Sequence, residues 1–256
     1  MSVLAAGRAV LKRVGALAAP PFLQRRAHIA DEYIGGSGIE IGGLNAPLPV
    51  PRDAQVRYVD RAPLDALRGH YPELEDQPLV EVDIVDDGER LATIGDESQD
   101  FVIANHFLEH CQDPIRALVN MFRVLTPNGV LYLAVPDKRF TFDRHRPRTS
   151  IEHLLDHFER GPEVDRRAHF EEWVRFVDQV DDETAVAQRT DELMEQDYSI
   201  HYHVWTQADV VELLLLLRQR FSIVFDVEVA VRNEHENIFV LRKEPALDSA
   251  ATGSAA

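Results

Sequence analysis

Short, almost wholly apolar runs alternate along the chain with longer stretches in which apolar residues recur every third or fourth position. The runs lie at Gly38–Gly42, Val56–Asp60, Leu79–Ile84, Phe101–Asn105 and Val130–Val135, with two more at Ser222–Val231 and Asn237–Arg242. Short apolar runs without polar alternation predict strands covered on both faces. Helices are predicted between them. Asp113-Pro114 is an N-cap and first-turn pair, and Ile115, Leu118, Val119, Phe122 and Leu125 then form one apolar face, ended by Pro127-Asn128-Gly129. Thr206 and Asp209 form a capping box that opens a helix over Val210–Arg220. This alternation predicts an α/β fold on an open, mostly parallel sheet with right-handed crossovers.

Two segments break the rhythm. Between Val135 and Trp205 about seventy residues intervene before the next helix directed at the sheet. They are charged and rich in His and aromatics, with helical patterns near Ser150–Glu159, Glu163–Val180 and Glu183–Gln196. This piece, residues 137–205, reads as a helical lid inserted over the carboxyl edge of the sheet. Residues 1–30 carry Arg8, Lys12, Arg13, Arg25 and Arg26 and no acid, with Val3, Leu4, Val10, Leu11, Val14 and Leu17 at helical spacing. They predict a basic amphipathic helix ended by Pro20-Pro21, packed on the domain or serving a membrane-surface or targeting role. The main domain is then residues 31–136 with 206–243, and residues 244–256 are a small, polar tail expected to be disordered.

The charge balance narrows the partners. A formal net charge of −17 opposes a surface that tracks phosphates, so no nucleic-acid partner is expected. A single cysteine, Cys111, excludes a disulfide within the chain, and the cysteine usage fits a reducing, cytoplasmic setting. No run reaches the roughly 18–20 apolar residues of a membrane span.

Four landmarks carry a resemblance. They are IEIGG at Ile39–Gly43, YVD at Tyr58–Asp60, EVDI at Glu81–Ile84, and FVIANHFLEHCQDPIRAL followed by FRVLTPNGVLYLAVPD within Phe101–Asp137. In order and spacing the chain resembles the class I S-adenosylmethionine-dependent methyltransferases, in particular a subgroup with an EH…DP…RVL.PGG…VP signature. The resemblance implies a Rossmann-like fold, an open seven-stranded, mostly parallel sheet with helices on both faces, and S-adenosylmethionine as cofactor. The first loop departs from the pattern, because Leu44-Asn45-Ala46-Pro47 follows Gly42-Gly43 where a third glycine is common. A G-x-G-x-x-G dinucleotide loop is also absent after this strand, which argues against a nicotinamide enzyme.

Carried onto these positions, the resemblance implies Glu40 for the cofactor's ammonium, Gly42 and Gly43 for close backbone approach, and Asp60 for the ribose hydroxyls. It further implies Asp83 and Ile84 for adenine, with Asn105 and His106 beside the methyl group. Methyl transfer to a hydroxyl needs a base, and neutral histidine suits that task. The candidates are His106, His110, His201 and His203, the last two expected on one face of an extended segment with Trp205. The stretch Asp137–Arg148 mixes cations, carboxylates and aromatics and is expected to contact an anionic or sugar-like acceptor. His153, His157, His169, His201 and His203 lack an H-E-x-x-H signature, and no metal site is expected. The expected activity is methylation, by an oxygen-directed route, of a small molecule or glycan. The alternatives are a membrane-associated quinone or lipid methyltransferase using the basic helix, and a non-catalytic regulator that binds S-adenosylmethionine.

Overall fold

The computed structural model describes residues 20–71, 74 and 76–245. Seven strands form one sheet: β1 (Ser37–Ile41), β2 (Gln55–Asp60), β3 (Ile84–Val85), β4 (Gln99–Asn105), β5 (Leu125–Pro136), β6 (Phe225–Asn233) and β7 (Glu236–Lys243). Their order is β3-β2-β1-β4-β5-β7-β6. All pairings are parallel except those of β7, which runs antiparallel between β5 and β6. The chain therefore leaves β1 in one direction toward β3 and resumes at β4 on the other side. The gap between the carboxyl ends of β1 and β4 is the switch point where such sheets open a crevice.

Both faces are apolar, which explains the unalternating runs. On β4, Val102 and Ala104 point to one layer and Phe101 and Ile103 to the other. The first layer is covered by two helices, one at Pro114–Val124 and one at Gln207–Arg220. Asp113 caps the earlier one by accepting from the Arg116 N–H at 3.0 Å. The Asp209 carboxylate accepts from Thr206 N–H at 2.8 Å at the start of the later one. The second layer is closed by a helix at Pro21–Tyr33 and by the loop after β1, which contribute Ile29, Ala30 and Leu48 against Phe101, Ile103 and Tyr132.

In chain order the helices are α1 (Pro21–Tyr33), α2 (Leu64–His70), α3 (Pro114–Val124), α4 (Ile151–Arg160), α5 (Arg166–Phe176), α6 (Glu183–Glu195) and α7 (Gln207–Arg220). Helices α5 and α6 pack together around Phe170, Trp173, Val174, Val186 and Leu193, while α4 joins the first-layer core through Leu154. The chain returns from α6 through Ile200–Trp205, pinned when Tyr202 N–H donates to the Glu109 carbonyl at 2.8 Å and Lys138 N–H to that of Trp205 at 2.9 Å. No helix among the described residues is long and apolar enough to cross a membrane.

Three expectations change. Pro20 and Pro21 begin a helix that the pattern did not predict. Proline suits the first helical position, where its missing N–H is not needed, and the basic segment 1–19 lies outside the described residues. The strand expected at Leu79–Ile84 shrinks to Ile84–Val85, because the Asp83 carboxylate accepts from the Tyr58 N–H at 2.8 Å and takes a ladder position. The strand expected at Ser222–Val231 begins only at Phe225, after Ser222 with φ +54°. No helix joins β1 to β2. Pro47, Pro49 and Pro51 withhold N–H groups there and disfavour helical backbone before them.

Candidate active site

The crevice is built from strand ends. Gly42 turns out of β1 with φ +66°, and nothing lies closer than 4.0 Å to where its side chain would begin. A side chain on Gly43 would stand 3.0 Å from the Tyr58 ring. Gly88 is tighter, since a Cβ there would come within 2.7 Å of Ile41 and Phe107. Phe107 thus forms the floor between the ends of β1 and β3.

Glu40 is 1% exposed and accepts from the Leu48 N–H at 2.9 Å, which holds the helix-free loop. Burial pushes its carboxyl up to about 8, against the opposing pull of the Leu48 bond, Arg26 and Asn105. At neutral pH this group is mostly protonated and gains charge when a cation arrives. The Asn105 amide lies close enough to favour the Glu40 anion, yet neither its nitrogen nor its oxygen makes a well-formed hydrogen bond. Asp60 ends β2, its carboxyl raised by burial and partly relieved by Arg61. Ile84 opens β3 and packs against the first-layer core. Asp83 precedes β3, exposed, with its carboxylate already committed to Tyr58. The acids that follow β3 are Asp86 and Asp87. Asp86 is occupied by Thr93, while the half-exposed Asp87 carboxylate accepts from the Glu89 N–H at 2.9 Å and lies 3.3 Å from Arg90.

Four histidines were candidates for the base, and the structure brings only His106 to the strand ends. It sits at φ +50°, with Nε2 2.7 Å from Glu236 Oε2. Glu236 is fully buried, and Arg26 from α1 grips both its oxygens, with Nε 2.7 Å from Oε1. Burial works against the Glu236 charge, but Arg26 and His106 outweigh it and hold the carboxyl well below the ordinary range. Burial likewise lowers His106 to about 4, despite the attraction of Glu236. An ionised Glu236 accepts, so Nε2 carries the proton and Nδ1 is left as a proton acceptor. Nδ1 stands 3.6 Å from Glu109, a carboxyl that burial pushes far up and whose oxygens have no hydrogen-bond partner.

His110, His201 and His203 are turned to other work. His110 Nδ1 donates to the Ile200 carbonyl at 2.9 Å and braces the returning segment; burial and His201 lower the ring to about 3. His201 Nδ1 is 2.8 Å from Asp143, which also binds Arg146. His203 is fully buried, stacked on Trp205 and 3.3 Å from the Gln112 carbonyl. The expected shared face of His201 and His203 therefore divides into two neighbourhoods, one around Phe142 and Trp173 and one around His153, His157 and His169. The mixed-charge stretch is also largely self-paired. Arg139 is bonded to buried Asp137, and Arg146 is buried between Asp143 and Glu172. Beyond β5, His153, His157, Asp165 and His169 each bring one ligand atom within 4.8 Å of the others.

Residues 42–133 match the family described as "Methyltransferase domain". The chain carries a methyltransferase domain. By this match it is an S-adenosylmethionine-dependent enzyme, and S-adenosylmethionine is its cofactor. No curated protein matches the sequence. Among solved structures, the methyltransferase is similar to a Rhodobacter sphaeroides protein described as a Zn-dependent alcohol dehydrogenase. That likeness has 16% identity and a TM-score of 0.52, over 94% of this chain and 98% of that one. It is also similar to a Bacillus halodurans methyltransferase at 14% identity and a TM-score of 0.49, over 87% and 99% of the two chains. An Aquifex aeolicus SAM-dependent methyltransferase gives 11% identity and a TM-score of 0.45, over 86% and 88%. The Rhodobacter likeness is one of fold.

The crevice of the methyltransferase fits its cofactor. Asn105 offers a buried donor and acceptor with no other engagement, and Glu40 is a buried acid that a cation would ionise. Gly42 leaves open space where a bound molecule can approach the backbone. The sequence missed Arg26 and Glu236. Arg26 reads as one cation in a basic helix, and only the burial of its neighbours Ile29 and Ala30 against the sheet turns it inward.

Proposed function

We propose that this enzyme methylates a hydroxyl group of a small molecule or glycan, within the subgroup marked by the EH…DP…RVL signature. The observation that carries the reading is the chain Arg26–Glu236–His106, which ends in an unprotonated ring nitrogen beside the crevice. An alcohol must lose a proton as it attacks, and this nitrogen can take it. Bound S-adenosylmethionine supplies a methyl group on a positively charged sulfur. His106 Nδ1 takes the hydroxyl proton as the oxygen–methyl bond forms, and Glu236, kept ionised by Arg26, stabilises the imidazolium. Phe107 and the returning segment Ile200–Trp205 keep water from the same space.

For the cofactor, Glu40 and Asn105 take the amino-acid end, Gly42 and Gly43 the approach, and Asp60 the ribose. Asp87 takes the adenine side in place of Asp83, because it lies just beyond β3 and its carboxylate is half-exposed. The dehydrogenase description of the Rhodobacter protein does not transfer. Gly42-Gly43 leads into a proline-rich loop with no helix N-terminus to receive a pyrophosphate. The lipid-directed alternative loses the described part of its basic helix, since Arg26 faces the protein interior.

Incubation with labelled cofactor and a panel of alcohols, sugars and amines tests the assignment. Label in amines alone rejects it. Two binding results are expected with S-adenosylhomocysteine in calorimetry. Asp60→Ala weakens binding by about 1.5–3 kcal/mol, through loss of charge-assisted bonds; equal affinity removes Asp60 from the site. Affinity of the unaltered enzyme rises between about pH 6 and 8, up to about tenfold per unit, because Glu40 must shed its proton to meet an ammonium. The released proton appears as a dependence of the heat on buffer ionisation enthalpy. A flat profile places the ammonium elsewhere.

A further inference from the structure

We propose that the lid binds one divalent metal ion of the zinc class, ligated by His153, His157, Asp165 and His169. One ligand atom from each of these four lies within 4.8 Å of all the others. His153 Nε2 is 3.1 Å from His169 Nε2, His157 Nε2 is 2.7 Å from Asp165 Oδ1, and His169 Nε2 is 3.5 Å from the same oxygen. A tetrahedral ion with bonds of about 2.0–2.1 Å separates its ligands by about 3.3–3.4 Å. The observed edges scatter around that length. Three imidazoles and one carboxylate are borderline to hard donors, suited to zinc and its neighbours and not to calcium or magnesium.

The local fold explains how the set assembles. His153 and His157 are four residues apart on α4, so they share a face, and Asp165 and His169 repeat the spacing at the start of α5. Gly161, at φ +90°, turns the chain so that the two pairs confront one another. His157 Nδ1 donates to the Gln112 carbonyl at 2.9 Å, which leaves Nε2 as the ligand atom and fixes the ring, as the outer shell of a metal site does. Among the described residues no lysine or arginine forms an ion pair with Asp165; its partners are His153, His157 and His169. The site has a closed side, with His157 and His169 buried, and an open side, with the His153 and Asp165 side chains 32% and 30% exposed, through which an ion enters. His153 and His169 also border a cleft of about 230 Å³ with Ser150, Glu172 and Tyr202. Four protein ligands make this a structural site, one that ties α4 to α5 beneath His203.

The full chain, stripped with a chelator and dialysed, is titrated with Zn²⁺ alone against a chromogenic competitor. One ion per chain and a rise in melting temperature are expected. His153→Ala and His169→Ala each weaken binding by at least about tenfold, no less than the loss of an outer partner. His28→Ala, an exposed imidazole elsewhere, leaves binding unchanged. Should the variants fail to fold, Co²⁺ added to the native chain gives the intense visible absorption of a four-coordinate ion. Absence of saturable Zn²⁺ binding, affinity unaltered in both variants, or a weak six-coordinate Co²⁺ spectrum overturns the proposal.

Discussion

His106→Asn is expected to lower kcat by about 10²–10⁴-fold while S-adenosylhomocysteine affinity barely changes. Asparagine tolerates the left-handed backbone at this position, so the local turn is kept. It cannot accept a hydroxyl proton. The buried ring titrates near 4, so the unaltered enzyme should hold its rate from neutrality down to about pH 5 and lose it as His106 is protonated below that. Single-turnover rates with cofactor and alcohol acceptor both held saturating across the pH range read both effects. A variant with unimpaired chemistry, or a rate that falls with a midpoint near the ordinary histidine value, would rule out His106 as the proton acceptor in this arrangement.

The second large effect is on folding. Arg26→Ala leaves Glu236 buried without its cation, and losing one partner of such a pair costs about 3–5 kcal/mol. For a chain of this size that is a fall in melting temperature on the order of 10 °C. Replacing both partners, Arg26→Met with Glu236→Leu, should recover much of the loss, because an apolar pair asks nothing of the solvent. Thermal melts of the three proteins decide it, and a single variant as stable as the parent would show that the pair is not held as described. The same cluster predicts acid sensitivity. His106 and His110 titrate near 4 and 3 when folded, below the unfolded value near 6.5. The unfolded chain therefore binds more protons as pH falls, and the stability present above 6.5 is lost on the way down through those values. Glu40 acts in the other direction. Its folded value near 8 lies above the unfolded one, so its contribution is complete below about 4.5 and declines as pH rises through 8.

Local signals carried much of the fold. Val102–Ala104 and Leu131–Val135 are apolar on consecutive positions because both sides of the sheet are covered, and a single sequence displays that directly. Asp113-Pro114 and Thr206-Asp209 mark helix starts through chemistry contained within four residues. The misread elements depended on partners far away. Leu79–Asp83 has the composition of a strand, but Asp83 can displace the ladder only because Tyr58 lies beside it. Pro20-Pro21 is compatible with either end of a helix until the sheet face that α1 covers is known. The same divide runs through the site. Glu40, Gly42, Asp60 and Asn105 follow from their positions at strand ends. Choosing among His106, His110, His201 and His203 required knowing which ring nitrogens were already taken, by Glu236, Ile200, Asp143 and Gln112. The lid cluster was legible as two i, i+4 pairs, but nothing in the linear spacing said that the pairs face one another.

Arg26 and Glu236 are separated by 210 positions. During synthesis the first of them therefore leaves the ribosome 210 residues ahead of the second. His106 is consequently oriented by the β6–β7 hairpin. A product that stops before β7 lacks the carboxylate that holds the His106 ring. The orientation of this imidazole is thus tied to the arrival of β7 on the sheet.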